Sequence, residues 1–337
     1  MSTQKITSME VAKLAGVSQS AVSRVFTPGA SSSKKTNELV RKAAAELGYR
    51  PNVLARSLIT GKSRMIGLVV AYLDNYFYPE ALELLSSALQ KKGYHVLIFM
   101  SGNKEGDIAE AVDEILDYQV DGIIAASVSM SSDLAKRCTS AGVPVVLFNR
   151  TQDDDRLSAV TSDNFQGGQK VARFLLAGGH KRIGYIAGWE GASTQRDREK
   201  GFTEELVRNG QELYAREVGN FNSDEARQAA RTMFSKQNFP DAVFVANDAM
   251  AIAVIDVIRF ELGLQVPEQV SVVGYDDVPI SSWPAYDLTT VRQPANRMVA
   301  ETVSILIESI ENKTTIARRV EIDGPLMVRG SAKISDK

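Results

Sequence analysis

The chain has 337 residues, a length that favours two or three domains, and its 44% apolar and 24% charged residues make an ordinary globular composition. Its single cysteine, Cys138, excludes an internal disulfide framework. The N-terminal segment lacks the apolar core of a signal peptide, and no apolar run reaches about 18 residues. We therefore expect a cytoplasmic protein without a membrane span.

The net charge of −2 is the sum of two unlike regions. Residues 1–64 contain eleven Lys and Arg residues and three glutamates, which gives this segment about +8 and leaves about −10 for the remainder. A basic segment on an acidic body predicts that only the N-terminal segment approaches a polyanion. The charge alone also fits a solvated basic arm, so the motifs have to decide.

Capping and turn signals divide the basic segment into three short helices. Thr7 and Glu10 have the spacing of a capping box for a helix of about residues 8–15, and Gly16 suits the turn that follows. Ser18 caps a second helix of about residues 19–26, and Ser33 caps a third. The predicted apolar stripe of the third helix consists of Leu39, Val40, Ala43, Ala44 and Leu47.

Two helices joined by a four-residue turn and followed by a third are typical of a helix-turn-helix unit, whose second helix meets base edges in the major groove. Gln19, Ser20, Ser23 and Arg24 are the polar residues near the start of that helix. Arg24 can donate two hydrogen bonds to guanine, and Gln19 can pair with adenine. The competing interpretation is an ordinary solvated helix face.

The stretches VAKLAGVSQSAVSRVF and AAAELGYRPNVLARSLITGKSRMIGLVV closely resemble the lactose-repressor (LacI/GalR) family of transcription regulators. The resemblance extends over nearly the whole chain, and it implies that Gln19, Ser20 and Arg24 read the major groove. A regulator of this kind needs double-stranded operator DNA as its partner.

The resemblance also implies a hinge helix that orders on operator DNA. Asn52 would cap this helix, Ala55 would approach the floor of the minor groove, and Leu58 would be the apolar wedge. An inserted apolar side chain can open a flexible base step and bend the duplex. Alternatively, Leu58 packs between domains.

From residue 65 onward, β-branched runs alternate with amphipathic helices, and the same rhythm restarts after residue 163. This pattern predicts an α/β core of two lobes with parallel sheets, similar to a periplasmic binding protein. We expect a headpiece at 1–50, a hinge helix and linker at 51–64, and an effector-binding core at 65–337. The N-lobe would take about 65–162 with a return near 290–320, and the C-lobe about 163–289 and 321–331.

Ligands bind such sheets beyond the carboxyl ends of the strands. Polar or aromatic residues follow the predicted strands at several positions. They are Tyr76, Phe77, Asn149, Arg150, Asp163, Arg196, Arg198, Asn247, Asp248, Asp276 and Asp277. Among them, Asp248 and Asp277 are more typical of helix caps or loop anchors, and Arg196 fits a surface position equally well.

The resemblance adds roles to some of these residues. Arg198, Asn247 and Asp276 match positions that hold effector hydroxyls, and Asn149 matches a contact that is aspartate in the lactose repressor. Phe221 and Gln293 match a stacking aromatic and a further polar contact. A guanidinium, an amide, a carboxylate and an aromatic ring suit a small polyhydroxylated ligand, so we expect a sugar or sugar derivative. A purine or nucleoside is the alternative.

Catalytic signals are missing from the sequence. The two histidines, His95 and His180, lie in separate segments without neighbouring metal ligands, and no glycine-rich phosphate loop or nucleophile elbow is present. We expect no enzyme activity, no metal and no cofactor. A sugar-binding transport receptor shares the predicted lobes, but it requires an export signal and has no use for a basic headpiece.

The sequence therefore predicts an operator-binding regulator, a repressor whose DNA affinity depends on a small ligand. A symmetric homodimer would read a pseudo-palindrome, and because no heptad helix follows the last strand-like segment, a dimer is expected. The identity of the effector, the operator sequence and the direction of the response stay open.

Overall fold

The computed structural model describes residues 6–27, 30–51, 62–71, 73–102, 105–128, 130–152, 156–235, 237–312 and 316–334. The chain forms two compact units, Met1–Arg64 and Met65–Lys337. Asn52, Ala55 and Leu58, the predicted hinge residues, lie outside the described residues.

The first unit contains the three predicted helices, α1 (Ser8–Ala15), α2 (Gln19–Val25) and α3 (Lys34–Leu47). The capping box of Thr7 and Glu10 is present, and the Ser18 hydroxyl accepts a hydrogen bond from the backbone N–H of Ala21 at 3.2 Å. Gly16 ends α1 with φ of 67°, a left-handed conformation that glycine adopts without strain. These local predictions are confirmed.

Valines and alanines from all three helices form the headpiece core, and Val11, Val22 and Val40 are fully buried in it. Leu39 was expected in this core, but its side chain is 42% exposed, so that prediction is wrong. The buried face of α3 is centred between Val40, Ala43 and Ala44. Because successive helical residues are rotated by about 100°, Leu39 falls at the edge of that face.

The second unit contains two α/β lobes. The N-lobe strands are β1 (Met65–Val70), β2 (His95–Met100), β3 (Gly122–Ala126), β4 (Val145–Phe148), β5 (Ser158–Ser162) and β11 (Arg319–Ile322). All are parallel, in the order β11-β5-β4-β3-β1-β2. The helices α4 (Phe77–Lys91) and α11 (Ala295–Asn312) cover one face of the sheet, and α5 (Glu105–Asp117) and α6 (Ser132–Ser140) cover the other.

The C-lobe strands are β6 (Ile183–Ala187), β7 (Ala215–Val218), β8 (Ala242–Val245), β9 (Ser271–Asp276), β10 (Thr289–Arg292) and β12 (Leu326–Met327). They follow the order β12-β10-β9-β8-β6-β7, and only the edge strand β12 is antiparallel. The helices are α7 (Asn164–Ala177), α8 (Ser193–Arg208), α9 (Ser223–Phe234) and α10 (Asp248–Asp256), which continues into the π-helical turn Val257–Glu261. The predicted fold class is confirmed.

The chain crosses between the lobes three times: after β5, after β10 and after β11. The last two crossings follow Arg292 and Ile322, slightly later than the boundaries expected from the sequence. Three strands at the crossings, β5, β10 and β11, were not recognisable from apolar runs. Their segments SAVTS, TTVR and RVEI mix polar with apolar residues, so they lack the continuous apolar run of the longer strands.

Candidate functional sites

The polar face of α2 is exposed, as a DNA-reading surface requires. Gln19, Ser20, Ser23 and Arg24 are all exposed, whereas Val22 and Val25 on the opposite face are buried in the headpiece core. Packing of the two valines therefore fixes which side chains α2 presents outward.

Local hydrogen bonds orient two of these side chains. The Gln19 side-chain amide donates to the Ser8 hydroxyl of α1 at 2.9 Å, and the Arg24 Nε donates to the Ser20 carbonyl oxygen at 3.4 Å. Beside Arg24, a groove of about 320 Å³ is lined by hydroxyl side chains that precede and begin α3. These hydroxyls are Ser31, Ser32, Ser33 and Thr36. Hydroxyl and guanidinium donors on one surface can contact phosphate oxygens of a duplex.

In the second unit, functional candidates cluster where strands end. Asn149 directly follows β4, Asn247 follows β8 and caps α10, Asp276 ends β9, and Gln293 follows β10. Four candidates have positive φ values: 57° at Asn149, 58° at Phe221, 130° at Asp276 and 57° at Asp277. Such conformations are unfavourable for residues with a Cβ, and they are concentrated at functional sites.

Asp276 is the centre of a buried polar cluster that joins the two lobes. Its carboxylate accepts hydrogen bonds from the Gln293 side chain at 2.7 Å and, across the lobes, from the Asn75 side chain at 3.3 Å. A guanidinium nitrogen of Arg198 lies 3.7 Å from the same carboxylate. Burial raises the pKa of Asp276 to about 7, and Arg198 opposes this shift.

Arg198 is held by several partners of its own. It donates to the Asn164 side-chain oxygen at 2.8 Å and to the Ala246 carbonyl oxygen at 2.5 Å, and it lies over the Tyr275 ring at 3.6 Å from the centroid. Gly168 of α7 allows α8 to pack this closely, because a Cβ at residue 168 would lie 2.1 Å from the Arg198 carbonyl oxygen. The close approach of α7 and α8 thus places Arg198 beneath the strand ends.

Three neutral side chains in this region have buried polar atoms without a hydrogen-bond partner among the described residues. They are the Asn149 Oδ1, the Asn247 Nδ2 and the Gln293 Oε1 atoms. In each residue the other end of the amide is engaged: by the Tyr78 hydroxyl at 3.1 Å, the Met250 N–H at 3.0 Å and Asp276, respectively. A buried polar atom without a partner is unfavourable, so each of these atoms has the capacity to bond a water molecule or a ligand.

The aromatic candidates occupy different environments. The Phe221 ring lies so close to Gly188 that a Cβ there would be 2.2 Å from a ring carbon. Phe77 is buried and stacks on Phe148 at 6.2 Å between centroids, and it also lines a cavity of about 540 Å³ with Asp276 and Gln293. Tyr76 is 51% exposed at the start of α4. Phe77 therefore contributes to the N-lobe core as well as to the cavity.

Other residues at the strand ends anchor loops or lie on the surface. Asp248 is fully buried and accepts hydrogen bonds from the Val278 N–H and the hydroxyls of Ser281 and Thr290 at 2.6 to 3.1 Å. Asp277 is paired with Arg292 and Arg329, each at 2.6 Å. The side chain of Arg196 is 54% exposed beside Asp197.

The described residues contain no group of His, Cys, Asp and Glu side chains that could hold a metal ion. His180 is buried 3.3 Å from Asp241, and burial lowers its pKa. Within the same residues, no helix combines the length and apolarity needed to cross a bilayer.

Several site residues were missed because they are informative only in three dimensions. Asn75 and Asn164 are buried partners of Asp276 and Arg198. Ser127 and Trp189 follow β3 and β6, and both contact Arg150. Consistent use of the strand-end rule would have found the last two, whereas nothing in the local sequence distinguishes the two asparagines.

Comparison with known proteins gives matches over both units. Residues 7–52 match the family model described as bacterial regulatory proteins, lacI family, and residues 172–332 match the periplasmic binding protein-like domain. The HTH-type transcriptional repressor PurR of Pasteurella multocida is 30% identical, over 96% of this chain and 98% of that protein.

Two solved structures are similar along the full core and headpiece. A lac repressor dimer bound to operator and the anti-inducer ONPF has a TM-score of 0.88 and 28% identity, covering 97% of this chain and 99% of that one. A complex of the transcriptional regulator CelR with cellobiose has a TM-score of 0.73 and 31% identity, covering 97% and 100%. The chain belongs to the LacI family of bacterial regulatory proteins, and it is a helix-turn-helix transcription regulator with a periplasmic-binding-protein-like sensor core.

Proposed function

We propose that this protein is a homodimeric repressor that binds a pseudo-palindromic operator and whose DNA affinity is controlled by a sugar or sugar derivative. In the headpiece, Arg24 donates to a guanine and Gln19 pairs with an adenine, while Ser20 and Ser23 make further polar contacts. For Gln19 to contact a base, its hydrogen bond to Ser8 has to break. This hydrogen bond is exposed, so both groups can exchange partners with water.

The hinge assignment stays a prediction. Asn52 would cap a helix on DNA, Ala55 would approach the minor-groove floor, and Leu58 of each subunit would enter a flexible central step. A homodimer places two such hinges side by side, as half-site symmetry requires. The lac repressor structure that this chain resembles is a dimer bound to operator.

The dimer is also supported by exposed apolar side chains in the N-lobe. Ile98 and Met100 lie on β2, the edge strand of the sheet, and each is 54% exposed, while Leu73 is 40% exposed. Exposed apolar side chains at a sheet edge are typical of an interaction surface. A second copy of this chain is the partner that a palindromic site demands.

The observation that supports a sugar effector is the set of three unpartnered amide atoms on Asn149, Asn247 and Gln293. Two of these atoms accept and one donates, and a hydroxyl group can do both. The carboxylate of Asp276 accepts further hydroxyls, and the Phe221 ring offers an apolar face. The similar CelR structure contains cellobiose.

A nucleobase is the second candidate, because Phe221 can stack on a planar ring and the amides can pair with ring nitrogens. The test is a selection of bound duplexes by the full-length protein, repeated with sugars, sugar acids, sugar phosphates and nucleosides. We expect one operator sequence whose occupancy changes with a sugar-type ligand, and the sign of the change identifies an inducer or a co-repressor. A response to nucleobases alone would contradict the sugar assignment.

Contacts between the lobes couple ligand binding to the arrangement of the core, on which we propose that DNA affinity depends. The Asn75 side chain reaches Asp276, and the Thr151 N–H donates to the Ser193 hydroxyl at 2.9 Å. A ligand that binds one lobe arrangement better than another shifts this equilibrium, with a typical coupling of about 1–3 kcal/mol. The operator must change ligand affinity by the same factor.

The cleft is proposed to be non-catalytic, without a cofactor or metal. The described hydrogen-bond partners of Asp276 are the amides of Gln293 and Asn75, and those of Asp277 are two arginines, so these carboxylates bond amides and guanidinium groups and not a nucleophile. Operator binding also requires the protein to act in the cytoplasm, where bacterial DNA resides.

A further inference from the structure

Arg150 is a buried cation at the boundary between the lobes. Arg150 follows β4 of the N-lobe, and only 2% of its surface is exposed to solvent. One guanidinium nitrogen donates to the Ser127 hydroxyl at 3.1 Å, and the guanidinium lies over the Trp189 ring of the C-lobe at 5.3 Å. Because Ser127 and Trp189 both follow strands, the guanidinium lies at the same carboxyl-end edges as the effector candidates.

The hydrogen-bonding capacity of Arg150 is largely unused. Among the described residues, no hydrogen-bond acceptor meets its Nε and Nη1 atoms, and no carboxylate lies within the 4.0 Å of an ion pair. These two nitrogens carry three of the five N–H groups of a guanidinium. The Trp189 ring covers a face of the group and leaves the in-plane N–H donors unsatisfied.

Arg198 provides an internal comparison. It is buried to the same 2%, but its side chain donates to an amide and a carbonyl oxygen and lies beside the Asp276 carboxylate. A buried charge with such partners is stable in a protein interior, whereas an isolated one is strongly unfavourable. Arg150 has the burial of Arg198, but no described residue places a compensating carboxylate beside it.

We propose that the effector carries an anionic group, a carboxylate or a phosphate, and that Arg150 binds it. This inference rests on the proposed effector site, and it narrows the ligand class from sugars to acidic sugar derivatives. A neutral ligand would satisfy hydrogen bonds of Arg150 but leave its charge uncompensated. An anionic oxygen accepts these hydrogen bonds and also compensates the charge. The neutral amides of Asn149, Asn247 and Gln293 remain available for the hydroxyl groups of the ligand.

The first experiment compares matched ligands on the full-length protein by titration calorimetry. Glucose, glucuronate, gluconate and glucose 6-phosphate separate the neutral, carboxylate and phosphate forms, and corresponding pentose and galactose sets extend the panel. We expect an anionic member to bind at least about tenfold better than its neutral counterpart, and Arg150→Gln to remove this preference. Arg196→Gln is the control, since Arg196 is an exposed arginine paired with Asp197.

A neutral sugar that binds as well as its acidic counterparts would overturn this inference and leave the sugar-responsive repressor intact. If no ligand of the panel binds or changes operator occupancy, the sugar proposal fails instead. The role of Arg150 is then decided by thermal melts in phosphate and in chloride at equal ionic strength. Phosphate stabilises folded proteins in general, so we expect a larger rise in melting temperature for the wild type and the Arg196→Gln control than for Arg150→Gln. Equal shifts in all three proteins would contradict the inference.

A ligand-free measurement gives an independent readout. An uncompensated buried cation destabilises the unliganded fold, so Arg150→Met is expected to raise its melting temperature in chloride by about 2 °C or more. An arginine with a purely structural role would behave in the opposite way. A lower melting temperature for Arg150→Met would therefore show that Arg150 is already compensated and would overturn the inference.

Discussion

The polar side chains of α2 and those of the core cleft differ in how their hydrogen-bonding groups are satisfied. Arg24 and Gln19 are exposed, and they can replace protein contacts by hydrogen bonds to water with little change in free energy. Asn149, Asn247 and Gln293 are buried, and one amide atom of each has no partner among the residues that the structure describes. The polar face of α2, which we propose reads DNA, can therefore change without affecting folding. In the cleft, the proposed effector recognition and the stability of the core depend on the same side chains.

The largest effect is expected from the core. Arg198→Ala removes the hydrogen bonds to Asn164 and Ala246, the ring contact with Tyr275 and the cation beside Asp276. Loss of one partner of a buried charge cluster typically lowers the free energy of unfolding by about 3–5 kcal/mol. Urea unfolding of the wild type and the variant, monitored by tryptophan fluorescence, would measure this loss of free energy of unfolding.

Arg208→Ala on the same helix is the control for this variant. The Arg208 side chain is 60% exposed, and the buried Glu205 carboxylate that it pairs with also accepts hydrogen bonds from Arg173 and Asn209. Because Glu205 keeps these partners, loss of Arg208 should change the unfolding midpoint little. Similar midpoints for the Arg198 and Arg208 variants would contradict the distinction between buried and exposed polar groups.

A smaller effect, confined to DNA binding, is expected from the headpiece. Arg24→Ala should weaken operator binding by about 1–3 kcal/mol and relax the preference at one base pair of each half-site. Effector affinity and the urea midpoint should stay unchanged, because Arg24 is exposed. Binding to a set of single-base operator variants measures the effect.

Arg41→Ala is the matched control on α3, where Arg41 is exposed and donates to Asn37. It should change the affinity for all duplexes by one common factor. If Arg24→Ala left the base preference unchanged, the proposal that Arg24 contacts a base would be wrong.

The third effect is a change in pH dependence. The pKa of Asp276 in the folded protein is raised to about 7, above the value of about 3.9 for an unfolded aspartate. Between these pH values the folded state retains a proton that the unfolded state releases, so stability falls as the pH rises from about 4 through 7. Asp276→Asn keeps the side-chain shape and lacks this titration.

Urea midpoints of both proteins at pH 5 and pH 8 test this sign. We expect the wild type to lose stability relative to Asp276→Asn at the higher pH. Contributions of His180, whose pKa is lowered by burial, are common to both proteins and cancel in the difference. A wild type that gains relative stability at pH 8 would show that Arg198 outweighs burial at Asp276.

Local signals were sufficient where a contact spans a few residues. The capping box of Thr7 and Glu10 and the caps at Ser18 and Ser33 were predictable, because each joins groups three positions apart along a helix start. The long apolar strands were recognisable for the same reason. Leu39 was assigned wrongly, since helical spacing defines a stripe but not its edges, which depend on how α1 and α2 pack on α3.

The sequence by itself determined the basic headpiece, the three helices and the alternating strands and helices of two lobes, because charge, capping and hydrophobic period are local properties. Only the tertiary structure decided which polar groups meet in the cleft. Asn75 and Asp276 are 201 residues apart in the chain, and Arg150 contacts a tryptophan of the other lobe. Burial and the remaining hydrogen-bonding capacity of a side chain depend on all of its neighbours, and those are fixed by packing between distant segments.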